Sequence, residues 1–193
     1  MTEDITSKFS KCEENLERII KKEVPLRDPS ITVVKIPVSN AEDIIKRHQL
    51  MLKKFKGKFA DWTYKTLNVE RVFFDALKAR DFTEGIQVVK DCDRKEFEDD
   101  VRNAILSDLI ERIEKEIHAL KNIRGADGKP PFLVLLNMHS TYPFIETGDI
   151  ISRIINEKGV YVIILYVIGD KYRMEESEPY KHANYTVHSC SFI

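Results

Sequence analysis

Two hydrophobic patterns alternate along this chain. One is a stripe at three- and four-residue steps among charges; the other is a short, unbroken apolar run. Ile5, Phe9, Leu16, Ile19 and Ile20 form a stripe, which predicts an amphipathic N-terminal helix over residues 1–24, closed off by Pro25 and Pro29. ITVVKIPV, residues 31–38, is β-branched and short, so it reads as a strand. Ser39-Asn40-Ala41-Glu42 then has the spacing of a capping box. Ile44, Ile45, His48, Met51, Leu52 and Phe55 continue at helical period, and Gly57 is expected to end that helix.

FADWTYKTL, residues 59–67, reads as a second strand, followed by a helix over about residues 68–80. A short helix is expected over residues 83–89. A long one should span 94–123, because Phe97, Val101, Ile105, Leu109, Ile113, Ile117 and Leu120 recur at helical steps. Leu106 and Ile110 widen that stripe, which implies either deeper burial or a partner groove. GADGKPP, residues 125–131, is the clearest loop. Beyond it come a strand over residues 132–136, a helix over 147–158, and a strand over 160–167. YTVHSCSF, near the end, fits a last edge strand.

Unbroken apolar strands need cover on both faces, which is the requirement of a parallel sheet. The order of elements therefore predicts one α/β domain over residues 1–193. Its mostly parallel sheet has four to five strands flanked by helices, with a long helical insertion (residues 81–124) before the third strand.

Composition narrows the classes of function. The chain has 193 residues, 42 % of them apolar and 33 % charged, which describes a soluble globular domain rather than a disordered one. Its 31 basic and 32 acidic residues give a net charge of −1, so no global pull toward nucleic acid or membrane is implied. Charges interrupt every apolar stretch near the start, unlike a secretory signal. The run VYVIILYVI falls far short of the roughly 20 residues a spanning helix needs. Cys12, Cys92 and Cys190 form no CxxC pair, which fits reduced thiols in the cytoplasm.

Candidate chemistry concentrates after the strand at 132–136, in Asn137-Met138-His139-Ser140-Thr141. Asn137, His139, Ser140 and Thr141 are candidate ligand-binding residues, since hydroxyls and a following helix start can offer donors to an anion. Against this, neither GxxxxGK[ST] nor GxGxxG occurs, and no glycine lies between Asn137 and Ile145 to let the backbone wrap a phosphate. His139 adjoins Ser140, but sequence neighbours rarely set a base against a hydroxyl, and the GxSxG elbow is missing. Glu146 and Asp149 suit the first turn of a helix, with Thr147 as its cap. No catalytic residue is assigned.

Two further clusters bear on partners. His182, His188 and Cys190 do not complete a metal site, and neither HExxH nor CxxC supports one. No metal or cofactor is expected, and His48 and His118 are given ordinary solvated or satisfied roles. Lys53, Lys54, Lys56 and Lys58 surround Phe55, Phe59 and Trp62, which mixes charge with stacking surface and makes them candidate nucleic-acid contacts. Lysines at a helix end also complement its dipole, a simpler explanation.

Tyr142-Pro143-Phe144 is read as structural. Proline restricts its own φ and keeps the residues before it extended, and an aromatic before proline raises the question of a cis peptide. Ser140, Tyr142, Pro143 and Phe144 follow a buried strand and precede a helix. In that arrangement the chain resembles the BrxB proteins of the BREX bacteriophage-exclusion systems. VVKIPVSNAED, FADWTYKTLNVERVFFDAL, VYVIILYV and EPYKHANYTVHS match the family's other segments, in order, from about residue 31 onward. The chain departs from the family where Asn137 and His139 replace glycines and where Glu146, Thr147 and Gly148 replace an Arg-Ser-His-like run. The resemblance implies a non-catalytic scaffold or adaptor acting beside a PglZ-type phosphatase-like protein, a methyltransferase and a large ATPase. A small-ligand, nucleotide or nucleic-acid binding accessory module is the alternative.

Overall fold

FLVLL and YVIILYVI carry apolar side chains at every position, and the fold uses both sides of each strand. The computed structural model describes residues 5–23, 31–37, 41–80, 94–123, 128–141, 145, 147–154, 157, 159–168 and 190–191. The strands are β1 (Ile31–Pro37), β2 (Tyr64–Asn68), β3 (Phe132–Leu136), β4 (Tyr161–Ile168) and the two-residue β5 (Cys190–Ser191). The helices are α1 (Ile5–Ile20), α2 (Ala41–Lys58), α3 (Val69–Ala79), α4 (Arg94–Asn122) and α5 (Thr147–Ile154). A 3₁₀ turn, Met138–Thr141, follows β3. The fold is the expected α/β class, and α4 lies between β2 and β3.

The order across the sheet is β2-β3-β4-β1-β5, and every pairing is parallel. Four strands form the body of the sheet, with β5 a short addition beside β1 at Val34 and Lys35. The crossover from β1 to β2 runs one way along the sheet through α2. The steps from β2 to β3 and from β3 to β4 run back through α3, α4 and α5. Opposite directions put the helices on opposite faces, as right-handed crossovers require.

The two-residue period of the strands divides the core accordingly. Leu133, Leu135, Val162 and Ile164 project toward α3, α4 and α5. Phe132, Val134, Tyr161 and Ile163 project toward α1 and α2. Burying one such side chain contributes roughly 1.5–3 kcal/mol, so the unbroken apolar runs are what the two-sided cover demands. On α4 the residues Ile105, Leu109, Ile113, Ile117 and Leu120 are all buried, Ile110 joins them, and Leu106 packs against the same core. The widened stripe of this helix therefore reflects burial, and the idea of an open groove on it is corrected.

Ion pairs tie α4 to its neighbours. Arg80 donates to both carboxylate oxygens of Asp108, at 2.6 and 2.7 Å. Arg102 meets Asp149 of α5 at 2.8 Å, and Lys121 meets Glu157 at 2.5 Å. Glu116 is buried and is held by Lys65 of β2 and by Arg112 one turn earlier. A buried carboxylate needs such partners to remain charged.

Several expected boundaries move. The second strand starts at Tyr64 rather than residue 59, because residues 59–63 form a turn that closes α2. Gly57 lies inside α2, since Phe59 N–H still reaches the carbonyl of Phe55 at 2.8 Å. Asn68 caps α3 through its side chain, which accepts from the Arg71 N–H. The expected short helix at 83–89, Tyr142-Pro143-Phe144 with its cis-peptide question, and His182 and His188 lie outside the described residues.

Candidate functional site

The carboxyl ends of β2 and β3 are neighbours: Asn68 stands opposite Leu136 in the register. Asn137, which follows β3, thus reaches the end of β2 and the start of α3. From the β2 side come Asn68 and Glu70, the latter in the first turn of α3. From the β3 side come Asn137 and the turn that holds His139, Ser140 and Thr141. Of the four candidate ligand residues, Asn137 and Ser140 meet the Asn68 and Glu70 side chains at this corner.

There the polar groups pair with one another. Asn137 Nδ2 donates to Glu70 Oε2 at 3.2 Å and lies 3.4 Å from Asn68 Oδ1. Ser140 Oγ donates to Glu70 Oε1 at 3.3 Å. Asn137 has φ of 58°, the left-handed region that Asn enters more readily than other non-glycine residues. That bend lets the chain leave β3 and close the turn through Ser140 N–H to Asn137 O at 3.1 Å.

Thr141 differs from its neighbours because it is fully buried. Its hydroxyl lies 2.9 Å from the carbonyls of both Met138 and Ile145 and has one proton to offer them. It fastens the turn to the approach of α5 and faces no solvent. His139 is partly exposed, yet its Nδ1 is buried and has no hydrogen-bond partner among the described residues. Glu70 brings negative charge to the place where a phosphate would need donors, which makes this corner a poor anion cradle.

The lysine cluster is largely spoken for. Lys54 pairs with Glu13 and Lys58 with Glu17 of α1, the latter at 2.5 Å. Lys56 donates to the carbonyls of Ala60 (3.0 Å) and Trp62 (2.5 Å), satisfying the turn that follows α2. Hydrogen bonds from Lys58 and from Lys21, the latter at 2.9 Å, hold the Glu17 carboxyl below its ordinary value. The aromatic residues are not a stacking platform either. Phe55 and Trp62 are buried, and the Trp62 indole donates to the Pro130 carbonyl at 3.1 Å. Phe55 and Trp62 are thus core, Phe59 is partly buried with Lys58 Nζ 5.6 Å from its ring centre, and Lys54, Lys56 and Lys58 serve α1, α2 and the turn.

Two residues escaped the sequence reading. Glu70 carries no signal of its own in the sequence; only the parallel pairing of β2 with β3 puts it against Asn137 and Ser140. His48 had been given an ordinary role but is 2 % exposed, with no partner for its Nε2 among the described residues. Burial pushes its pKa down to about 4. His118 does conform: it is exposed and lies 3.5 Å from Glu157.

In doubly wound sheets ligands favour the carboxyl ends of neighbouring strands whose connections leave to opposite faces. β1 sends its connection to the α2 face and β3 to the α5 face, with β4 between them. Residues 38–40 and 169–189, which follow β1 and β4, lie outside the described residues. Among the described residues no group of three or more His, Cys, Asp or Glu is arranged to hold a metal ion. Nor, among them, is any helix long and apolar enough to cross a membrane. No protein-family model matches the chain, and no curated protein matches it.

Proposed function

We propose that this chain is a non-catalytic adaptor of a BREX-like antiphage system, cytoplasmic, and acting by protein–protein contact with a PglZ-type partner. The observation that carries the non-catalytic part is the closure of the strand-end corner on itself. Glu70 takes the hydrogen bonds of Asn137 and Ser140, and the Thr141 hydroxyl serves backbone carbonyls. These groups do the work of joining strand, turn and helix, which leaves them unsuited to hold a phosphate or activate a nucleophile.

Asn137, a departure from the family's pattern, is compatible with the resemblance. The BrxB family, which the chain resembles, usually has glycine in this turn, and a φ of 58° is a conformation for which glycine is the default residue. An Asn there preserves the bend with a side chain that also reaches Glu70. Co-purification with a PglZ-type protein, where the genome neighbourhood encodes one, tests the reading. Retention of the two proteins as a complex through gel filtration is expected, and a genome neighbourhood lacking both that protein and a methyltransferase removes the reading's basis.

His139 favours a second reading, a small-ligand module, because its buried Nδ1 lacks a partner among the described residues. Thermal-shift measurements with nucleotides separate the two. A ligand at 100 times its dissociation constant stabilises a fold by about 2.7 kcal/mol, and the adaptor reading expects no shift.

A further inference from the structure

Phe74 lies one helical turn beyond Glu70 on α3, so the two residues occupy the same flank of that helix. Phe74 is 53 % exposed. Its ring leans on that of Phe73, which is buried, with centroids 5.6 Å apart. The neighbouring core thus holds an aromatic surface that faces water.

Glu70 complements it. Each of its oxygens accepts one hydrogen bond, from neutral donors: Asn137 and Ser140. Among the described residues no lysine or arginine pairs with it. Three acids on this side of the sheet do have cationic partners, Asp108 in Arg80, Asp149 in Arg102 and Glu157 in Lys121. Arg71, the next residue in the chain, lies 3.9 Å from Asp75, and Lys78 stands two turns from Glu70, about 12 Å along the axis and beyond a Debye length in physiological salt. Among the described residues Glu70 is therefore a carboxylate oriented by two neutral donors and without an ion-pair partner.

We infer that the Glu70–Phe74 flank of α3 is a docking surface for a protein partner that lays an arginine across Phe74 and onto Glu70. Arginine fits because its planar guanidinium stacks on an aromatic face while its N–H groups reach a carboxylate. Lysine, a compact point charge, does less of both, and an acidic or phosphorylated segment is repelled by Glu70. The inference rests on the adaptor reading and gives the chemistry of its contact surface.

The test is a nitrogen-15 NMR titration of the full chain with the blocked peptide acetyl-Leu-Arg-Leu-amide and its Gln counterpart. The Arg peptide is expected to shift the amides of Glu70, Phe74 and Ser140 saturably, and the Gln peptide to bind about ten-fold more weakly. Glu70→Gln and Phe74→Ala should each weaken the Arg peptide several-fold, while Lys53→Gln leaves it unchanged. Phe74 is exposed and Gln keeps one acceptor, so both variants should fold, which their melting temperatures check. Equal response to the two peptides, or an Arg response indifferent to both variants, overturns the inference. Co-purification is read separately. A PglZ-type partner that holds both variants as well as wild type overturns the surface and leaves the adaptor reading standing. Peptide binding without any such partner does the reverse.

Discussion

Ser140 Oγ donates to Glu70 Oε1 at 3.3 Å across 70 residues of chain. The bond joins the first turn of α3 to the turn after β3, and it exists because β2 and β3 are adjacent and parallel. Together with Asn137 it turns what looked like a ligand corner into a clasp between two strand ends. The same clasp fixes the Glu70 carboxylate between two neutral donors, which disfavours an anion at this corner and is the basis of the cationic partner proposed above.

Removing the clasp should cost measurable stability. Glu70→Ala leaves Asn137 and Ser140 without their acceptor, and is expected to lower unfolding free energy by about 1–2 kcal/mol, since hydrogen bonds to charged groups are worth more than neutral ones but this site is partly wet. Combined with Ser140→Ala in a double-mutant cycle, the coupling should be on the order of 0.5–1 kcal/mol. Urea unfolding reads both, and additive effects would show that the two residues do not act together.

Thr141→Val tests the buried end of the turn. Valine matches the shape of threonine but removes the hydroxyl that the Met138 and Ile145 carbonyls share. The expected loss is about 1–2 kcal/mol, larger than for Ser140→Ala, whose hydroxyl is partly exposed. Equal costs at the two positions would contradict the division between a structural Thr141 and a solvent-facing Ser140.

The layers of this fold were legible because unbroken apolar runs and helical stripes are local signals. FLVLL and YVIILYVI announce two-sided strands, and the Ile105-to-Leu120 stripe announces α4 before any pairing is known. Contacts made by pairing were not legible. Nothing near Glu70 in the chain points to Ser140, and the lysines of α2 gave no hint that Glu13 and Glu17 of α1 stand beside them. Trp62 was misjudged for a related reason. Its neighbours Asp61 and Thr63 suggest a wet strand, whereas a turn aims the indole inward at Phe132 and Phe55.

Trp62→Phe should therefore behave as a core substitution. It removes the donor to the buried Pro130 carbonyl as well as ring volume packed against Phe132, Phe55 and Tyr64. A loss of roughly 2–4 kcal/mol is expected in urea unfolding. As the sole tryptophan of the chain, Trp62 also reports its own burial. Its fluorescence should be blue-shifted in the native protein and unaffected by single-stranded oligonucleotides, and quenching by them would return the ring to a surface role.

His48 makes stability depend on pH in a defined window. Its ordinary value is 6.5 and burial lowers it to about 4 in the folded protein, so between those values the unfolded chain binds a proton that the folded chain refuses. Stability is therefore complete above about pH 6.5 and falls as pH drops toward 4, at about 1.4 kcal/mol per pH unit at most, or on the order of 3 kcal/mol in all. The paired carboxylates act lower. Hydrogen bonds from Lys58 and Arg80 hold Glu17 and Asp108 below 4.5 and 3.8 respectively, so their contribution is intact above those values and is lost below them. Urea midpoints measured from pH 7 to pH 4 should slope downward for the wild type and flatten in His48→Leu, which has nothing to titrate there. The slope is the readout, so a change in baseline stability from the substitution does not obscure it, and an unchanged slope in the variant would place the titrating group elsewhere.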